Sequence, residues 1–147
     1  MGMISIHKME CRDLSGVYEI SSKSFAAPWS LPAIEAEYNN DLAYYLVARS
    51  DDKTIGFIGA WLVFDEVQIT NIAVDPAYRG QGTAKLLLGR LITDMTARGM
   101  SVAFLEVRVS NVAALKLYEA FDFIYIGYRK QFYENNEDAH LMSLSLG

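Results

Sequence analysis

The chain has 147 residues, 52% of them apolar and 21% charged, with a net charge of −5 and one cysteine, Cys11. That length buries a sizeable core without disulfides or a structural metal, so a single domain over 1–147 is expected. The acidic balance argues against a general nucleic-acid partner, which would need clustered Lys and Arg, and suits a basic or amine-bearing substrate.

In chain order, Met3 to Lys8 alternates and predicts a short strand. Asp13 to Phe25 predicts a helix with Leu14, Val17, Tyr18 and Ser21 on one side. Ala27-Pro28-Trp29-Ser30 breaks it, and Ser30 can cap a second helix running to about Asn39. Ala43 to Arg49 and Thr54 to Phe64 are β-rich, with Ser50-Asp51-Asp52-Lys53 as the turn between them. Val67 to Val74 follows as a third long strand. Val67 and Ile69 set its alternation, but Ile72 and Val74 are one residue out of phase. Either the strand is buried on both faces, or a β-bulge near Thr70-Asn71 repairs the phase and splays it from its neighbour.

The strand runs through Asp75-Pro76 into Arg79-Gly80-Gln81-Gly82-Thr83-Ala84 and then a long amphipathic helix, whose stripe is Ala84, Leu87, Leu88, Leu91, Ile92 and Met95. Gly99 suits the C′ position of that helix. Glycines that admit a ligand to the backbone, followed by unpaired amides at a helix N-terminus, make a phosphate cradle. A Walker loop is excluded, because one residue separates Gly80 from Gly82 and Lys85 precedes Leu86. A dinucleotide fingerprint is excluded because Lys85 stands where its third glycine belongs. What remains is the form Arg/Gln-x-x-Gly-x-Gly/Ala, or else an ordinary Gly-rich turn.

Ser101 to Val107 predicts a strand, Asn111 to Phe121 a helix, Ile124 to Tyr133 and Ala139 to Leu146 two more strands, with Glu134-Asn135-Asn136-Glu137 as the last turn. Strands outnumber helices, which predicts an α+β fold with helices on both faces of one sheet. Alternation puts Glu106 on the face opposite Leu105 and Val107. It is either a cleft carboxylate or a solvated one paired with Arg108. Tyr118 shares a helix face with Ala114 and Phe121, so it is either core or a phenol available for proton transfer. Asn111 either caps its helix or holds a ligand amide. His7 and His140 have no Cys or paired carboxylates at ligand spacing, so no metal site is expected.

Taken together, Ile72-Ala73-Val74, Arg79 to Ala84, Leu105-Glu106-Val107-Arg108, Ser110-Asn111 and Leu117-Tyr118-Glu119 resemble the GNAT acetyltransferase superfamily. With Phe25-Ala26-Ala27-Pro28-Trp29-Ser30, they resemble its RimI-type ribosomal-protein-alanine N-acetyltransferases over nearly the full chain. The resemblance implies the GNAT fold, a central, mostly antiparallel sheet with a bulged, splayed strand, and acetyl-CoA as co-substrate. It implies Glu106 as general base and Tyr118 as general acid. The backbone of Ile72, Ala73 and Val74 would hold the acetyl carbonyl and pantetheine arm. Arg79, Gly80, Gln81, Gly82, Thr83, Ala84 and Lys85 would hold the pyrophosphate, and Asn111 would also contact the cofactor. Trp29 and Tyr133 would meet the acceptor, expected to be a protein N-terminus, in particular the N-terminal alanine of a ribosomal protein. The chain departs from the family at Ala120-Phe121-Asp122-Phe123, where Leu-Gly-Phe is usual, and at Arg129 to Glu134, where Arg-x-x-Tyr-Tyr-Pro is usual. Both departures bear on the acceptor.

The chemistry agrees with an α-amine. With a pKa of about 8 it is roughly a tenth neutral at pH 7, whereas a lysine is neutral less than about one part in a thousand. A small-molecule amine acceptor and a silent acyl-CoA-binding module are the competing expectations. No run of about 18 apolar residues predicts a membrane helix, and no secretory signal is apparent. Ile6 stands where a myristoylation motif needs Ser or Thr. A cytoplasmic protein is expected.

Overall fold

The computed structural model describes residues 3–25, 28–130, 132 and 137–147. The strands are β1 (Ile4–Lys8), β2 (Ala43–Ser50), β3 (Lys53–Val63), β4 (Glu66–Val74), β5 (Val102–Arg108), β6 (Ile124–Arg129) and β7 (Ala139–Ser145). The helices are α1 (Leu14–Ser24), α2 (Leu31–Tyr38), α3 (Thr83–Ala97) and α4 (Val112–Ala120), with short 3-10 turns at Cys11–Asp13 and Pro76–Tyr78. The strands form one sheet in the order β1-β2-β3-β4-β5-β7-β6. Every neighbouring pair is antiparallel except β4 and β5.

Alternation along the central strands feeds two cores. Tyr44, Leu46 and Ala48 of β2 point to the face covered by α3 and α4, where they meet Leu87, Leu88, Leu91, Met95 and Tyr118. Tyr45 and Val47 point to the other face, where Val17 and Ile20 of α1 and Ile34 of α2 close over them. The helix stripe predicted over Ala84 to Met95 is the buried side of α3. In α1 the phase is corrected: Ile20 faces the sheet with Leu14, Val17 and Ser21, while Tyr18 is exposed. Both residues satisfy helical spacing from Val17 or Leu14, and the fully apolar side chain takes the buried place.

Local signals explain the ends. Ser30 Oγ accepts from the Ala33 amide and Asn111 Oδ1 from the Ala114 amide, which settles both caps. Gly99 takes φ +79° after α3. Its amide bonds the Thr96 carbonyl while that of Met100 reaches Met95, a Schellman closure. The Asp51-Asp52 turn holds φ of 50° and 65°, the two-residue hairpin geometry whose twist matches its strands. Strand β6 ends at Arg129, so Tyr133 and the expected turn at 134–136 lie outside the described residues, as do Ala26 and Ala27.

The bulge expected in β4 is present. Gly59 pairs with Asn71 and the next residue, Ala60, with Ile69, so Thr70 is the extra residue. The slip lets Val67, Ile69 and Ile72 all reach the α3 side of the sheet. Next to it, β4 pairs with β5 only from Glu66↔Val102 to Gln68↔Phe104. Beyond Gln68 the two strands part.

Candidate active site

Where β4 and β5 part, a cleft of about 1010 Å³ opens through the sheet. Its walls bring together most of the residues singled out by sequence. Ile72, Ala73 and Val74 line one side, Arg79, Gly80, Gly82, Thr83, Ala84 and Lys85 one end, and Glu106, Asn111 and Tyr118 the other side. Trp29 lies on the rim with Phe25. Gln81 is exposed on the loop and does not line the cleft.

The loop end is built for a polyanion. Gly80 and Gly82 have φ of +81° and +79°, and a Cβ on either would meet nothing within 4 Å. The loop backbone is therefore open to a ligand and held in a conformation that costs other residues energy. The first helical bond of α3 runs from the Leu86 amide to the Gly82 carbonyl, so the amides before it have no helical partner and point outward at the positive end of the helix. Arg79 and Lys85 stand at the same end, and Lys116 of α4 also lines the cleft. Arg79 Nε donates to the Val74 carbonyl at 3.3 Å, tying the loop back to β4.

Two buried hydroxyls, Ser24 Oγ and Thr83 Oγ1, have no hydrogen-bond partner among the described residues. Both residues line the cleft. A buried hydroxyl left unpaired is costly, and both of these belong to residues of the cleft wall, where a polar ligand can satisfy them. The pair fits acetyl-CoA on the chemistry of its donors. Ser24 carried no signal in the sequence, because a serine in the last turn of a helix looks like a surface residue.

At the opposite end, Leu105 and Val107 are buried in the α3-side core while Glu106 is exposed into the cleft. Its carboxylate does not pair with Arg108, which turns to Glu137 at 3.3 Å. Glu106 Oε1 instead lies 3.7 Å from Arg129 Nη2, across the β7–β6 pairing. Strand β7 lies between the two, and the long Arg129 side chain spans it to reach Glu106. Tyr118 is both buried and cleft-lining, with its ring tilted 60° against Phe123 at 5.6 Å. The two readings of Tyr118, core residue and cleft residue, are thus not exclusive. Asn111 spends its Oδ1 on the α4 cap, and its Nδ2 is the donor it can offer to a ligand.

The departure from the usual glycine at Asp122 changes little in shape. Asp122 takes φ +69°, the left-handed conformation that suits glycine and that Asp tolerates better than most residues. Phe121 and Phe123 on either side pack against the core.

A mostly antiparallel sheet, split by a bulged strand over a glycine-rich helix N-terminus, is the architecture of an acyl-CoA transferase. Residues 14–123 match the acetyltransferase (GNAT) family. A relative from Bacillus subtilis (strain 168) is 40% identical over 97% of this chain and 95% of its own length. The ribosomal protein bS18-alanine N-acetyltransferase of Escherichia coli (strain K12) is 34% identical over 98% of this chain and 99% of its own. The crystal structure of the Escherichia coli ribosomal-protein-S18-alanine N-acetyltransferase superposes with a TM-score of 0.92 at 34% identity, covering 99% of this chain and 95% of that one. The chain belongs to the GNAT acetyltransferase family, and its activity is acetyl-CoA-dependent N-acetyl transfer. Among the described residues, no helix is long and apolar enough to cross a membrane, and no three His, Cys, Asp or Glu side chains group as metal ligands.

Proposed function

We propose that the chain acetylates the N-terminal α-amine of a protein, and that its acceptor is the N-terminal alanine of ribosomal protein bS18. The observation that carries this reading is Glu106, a carboxylate exposed in the cleft where β4 and β5 part. The reading is supported by the full-length similarity to an enzyme named for that reaction. Such an acceptor places the reaction in the cytoplasm, with 1–147 acting as one catalytic unit.

The proposed roles are supported by where these residues line the cleft. The loop from Arg79 to Lys85 binds the pyrophosphate through its amides and flanking cations. The hydroxyls of Ser24 and Thr83 and the Asn111 amide take the polar arm. The backbone of Ile72 to Val74 holds the acetyl carbonyl, with the acceptor entering past Trp29; Tyr133 is proposed for the same acceptor wall. Glu106 accepts a proton from the acceptor ammonium, directly or through one water. The neutral nitrogen then bonds to the acetyl carbon, the carbon–sulfur bond breaks, Tyr118 gives its proton to the departing thiolate, and the nitrogen loses its second proton to water, from which Tyr118 is reprotonated. An α-amine is neutral often enough at pH 7 for one partly solvated carboxylate to suffice.

The test is a panel of synthetic acceptors with purified enzyme and acetyl-CoA, read by mass spectrometry. It contains the bS18 N-terminal peptide, the same peptide with its α-amine blocked, and small polyamines. Acetylation of the first alone is expected. Turnover only on polyamines, or on lysine in the blocked peptide, would overturn the assignment.

A further inference from the structure

Behind the acceptor side of the cleft lies a buried polar cluster that this mechanism does not use. Glu37, on α2, is buried, and its Oε1 accepts from the Tyr45 hydroxyl at 2.9 Å and from Trp61 Nε1 at 2.8 Å. Its other oxygen accepts from Asn40 Nδ2 at 3.4 Å. These partners are three neutral donors. A carboxylate taken out of water on such terms is costly, so its retention at this place calls for a use.

Tyr45 connects that carboxylate to the bulge. The Thr70 hydroxyl donates to Asn71 Oδ1 at 3.5 Å, and Asn71 lines the same small cavity as Tyr45. Its ring lies directly over Gly59: a Cβ there would come within 2.4 Å of Tyr45 Cε2 and Cζ, and within 2.8 Å of Asn71 Oδ1. Gly59 is the residue opposite Asn71, at the register slip itself. A side chain at 59 would therefore push the ring off the bulge. Burial, together with the Glu37 carboxylate, holds the Tyr45 phenol above its ordinary pKa, so it stays a neutral donor. The cluster encloses a cavity of about 10 Å³ lined by Tyr45, Glu37, Asn71 and Trp29 among others, and Asn71 and Trp29 also line the large cleft.

We propose that Glu37 and Tyr45 are positioning residues for acetyl transfer, acting as a latch that holds the Thr70 bulge in one conformation. Glu37 fixes the Tyr45 hydroxyl, the Tyr45 ring packs over Gly59 beside Asn71, and Asn71 with Thr70 leads into the segment Ile72 to Val74. That segment carries the acetyl carbonyl in the function proposed above, on which this inference rests. The pyrophosphate loop is a separate element, so the latch governs where the acetyl group sits rather than how tightly the cofactor binds. A misplacement of about 1 Å costs up to roughly 100-fold in rate.

The experiment compares Tyr45→Phe, Glu37→Leu and Glu37→Gln with wild type. Turnover is read on whichever amine wild type accepts and normalised to sites that bind acetyl-CoA by calorimetry. Amide hydrogen exchange over 69–72 is measured on the free protein. Expected for Tyr45→Phe and Glu37→Leu is a kcat roughly 10- to 100-fold lower, acetyl-CoA Kd within about twofold, and faster exchange over 69–72. Glu37→Gln keeps an oxygen for the phenol and should rescue most of the turnover. Wild-type kcat per bound cofactor in the first two variants would overturn the latch, as would unchanged exchange, or a Glu37→Gln as impaired as Glu37→Leu. Loss of activity matched by loss of cofactor-binding sites would mean a merely structural role, and likewise overturns it. If wild type ignores the peptide, the acceptor assignment fails, while the exchange comparison still decides the latch.

Discussion

The two halves of the sheet, β1–β4 and β5-β7-β6, are built to different standards. On one side, seven of the eight residues of β2 are buried. Arg49 in that strand is locked to Asp13 by bonds of 3.0 and 2.6 Å and to Glu10 by one of 2.7 Å. On the other side, all six residues of β6 are exposed, and the halves share only the short parallel pairing at Glu66–Gln68. The rigid half carries the bulge and the phosphate loop, which must recognise one unchanging ligand. The open half carries Glu106, which lines the cleft, and Arg129 beside it. The proposed pyrophosphate loop thus lies on the rigid half and the proposed base on the open one.

The sharpest test of that division is Glu106→Gln. It removes a base from the open half without altering the rigid one, so kcat should fall by about 10²- to 10⁴-fold, the usual contribution of a positioned proton acceptor. Steady-state kinetics would show the loss and calorimetry with acetyl-CoA should show a Kd unchanged within about twofold. Equal turnover would remove Glu106 from its role; a matching loss of cofactor affinity would break the division itself.

The rigid half should fail thermodynamically instead. Asp13→Asn leaves the buried Arg49 guanidinium short of its main partner, and removing one member of a buried pair costs about 3–5 kcal/mol, measurable as a fall in urea midpoint at pH 7. The same pair sets a pH limit. Burial alone would raise the Asp13 carboxyl, but the hydrogen bonds from Arg49, Thr54 and the Glu10 amide outweigh it and hold its pKa below the ordinary 3.8. A depressed folded-state pKa contributes stability that is fully present above the unfolded value and is lost as pH falls through the folded one. Wild type should therefore lose stability steeply below about pH 4, and Asp13→Asn should show a flatter acid limb. Identical limbs would show that the pair does not set the acid limit.

The same contrast explains what could be read from the sequence. Features set by near neighbours in the chain were legible. The phase slip of Val67 and Ile69 against Ile72 and Val74 pointed to a bulge or a doubly buried strand, the Gly80 and Gly82 spacing pointed to a phosphate cradle, and alternation put Glu106 on the face opposite Leu105 and Val107. Features set by register between distant segments were not. Arg129 reaches Glu106 only because β6 pairs with β7 and β7 with β5, whereas adjacency in the chain suggested Arg108. Asp13 and Arg49 lie 36 residues apart. Glu37 looks like any helix-surface glutamate until Tyr45 and Trp61 are folded over it.

The smallest expected effect sharpens the comparison most economically. Ile124 on β6 is 62% exposed, so Ile124→Thr deletes little buried surface and keeps a β-branched residue in the strand. Its cost should stay within about 0.5 kcal/mol, the range for surface positions. The equivalent truncation in the rigid half, Ile58→Val at a fully buried position, should cost about 0.5–1.5 kcal/mol for one methylene. Chemical denaturation of the two variants against wild type decides it. If Ile124→Thr proves the more costly, β6 is held by more than the β7 ladder, and the open half is not the loose one. If the order is as expected, β6 can change sequence at almost no cost to the fold, while the buried core of β3 cannot.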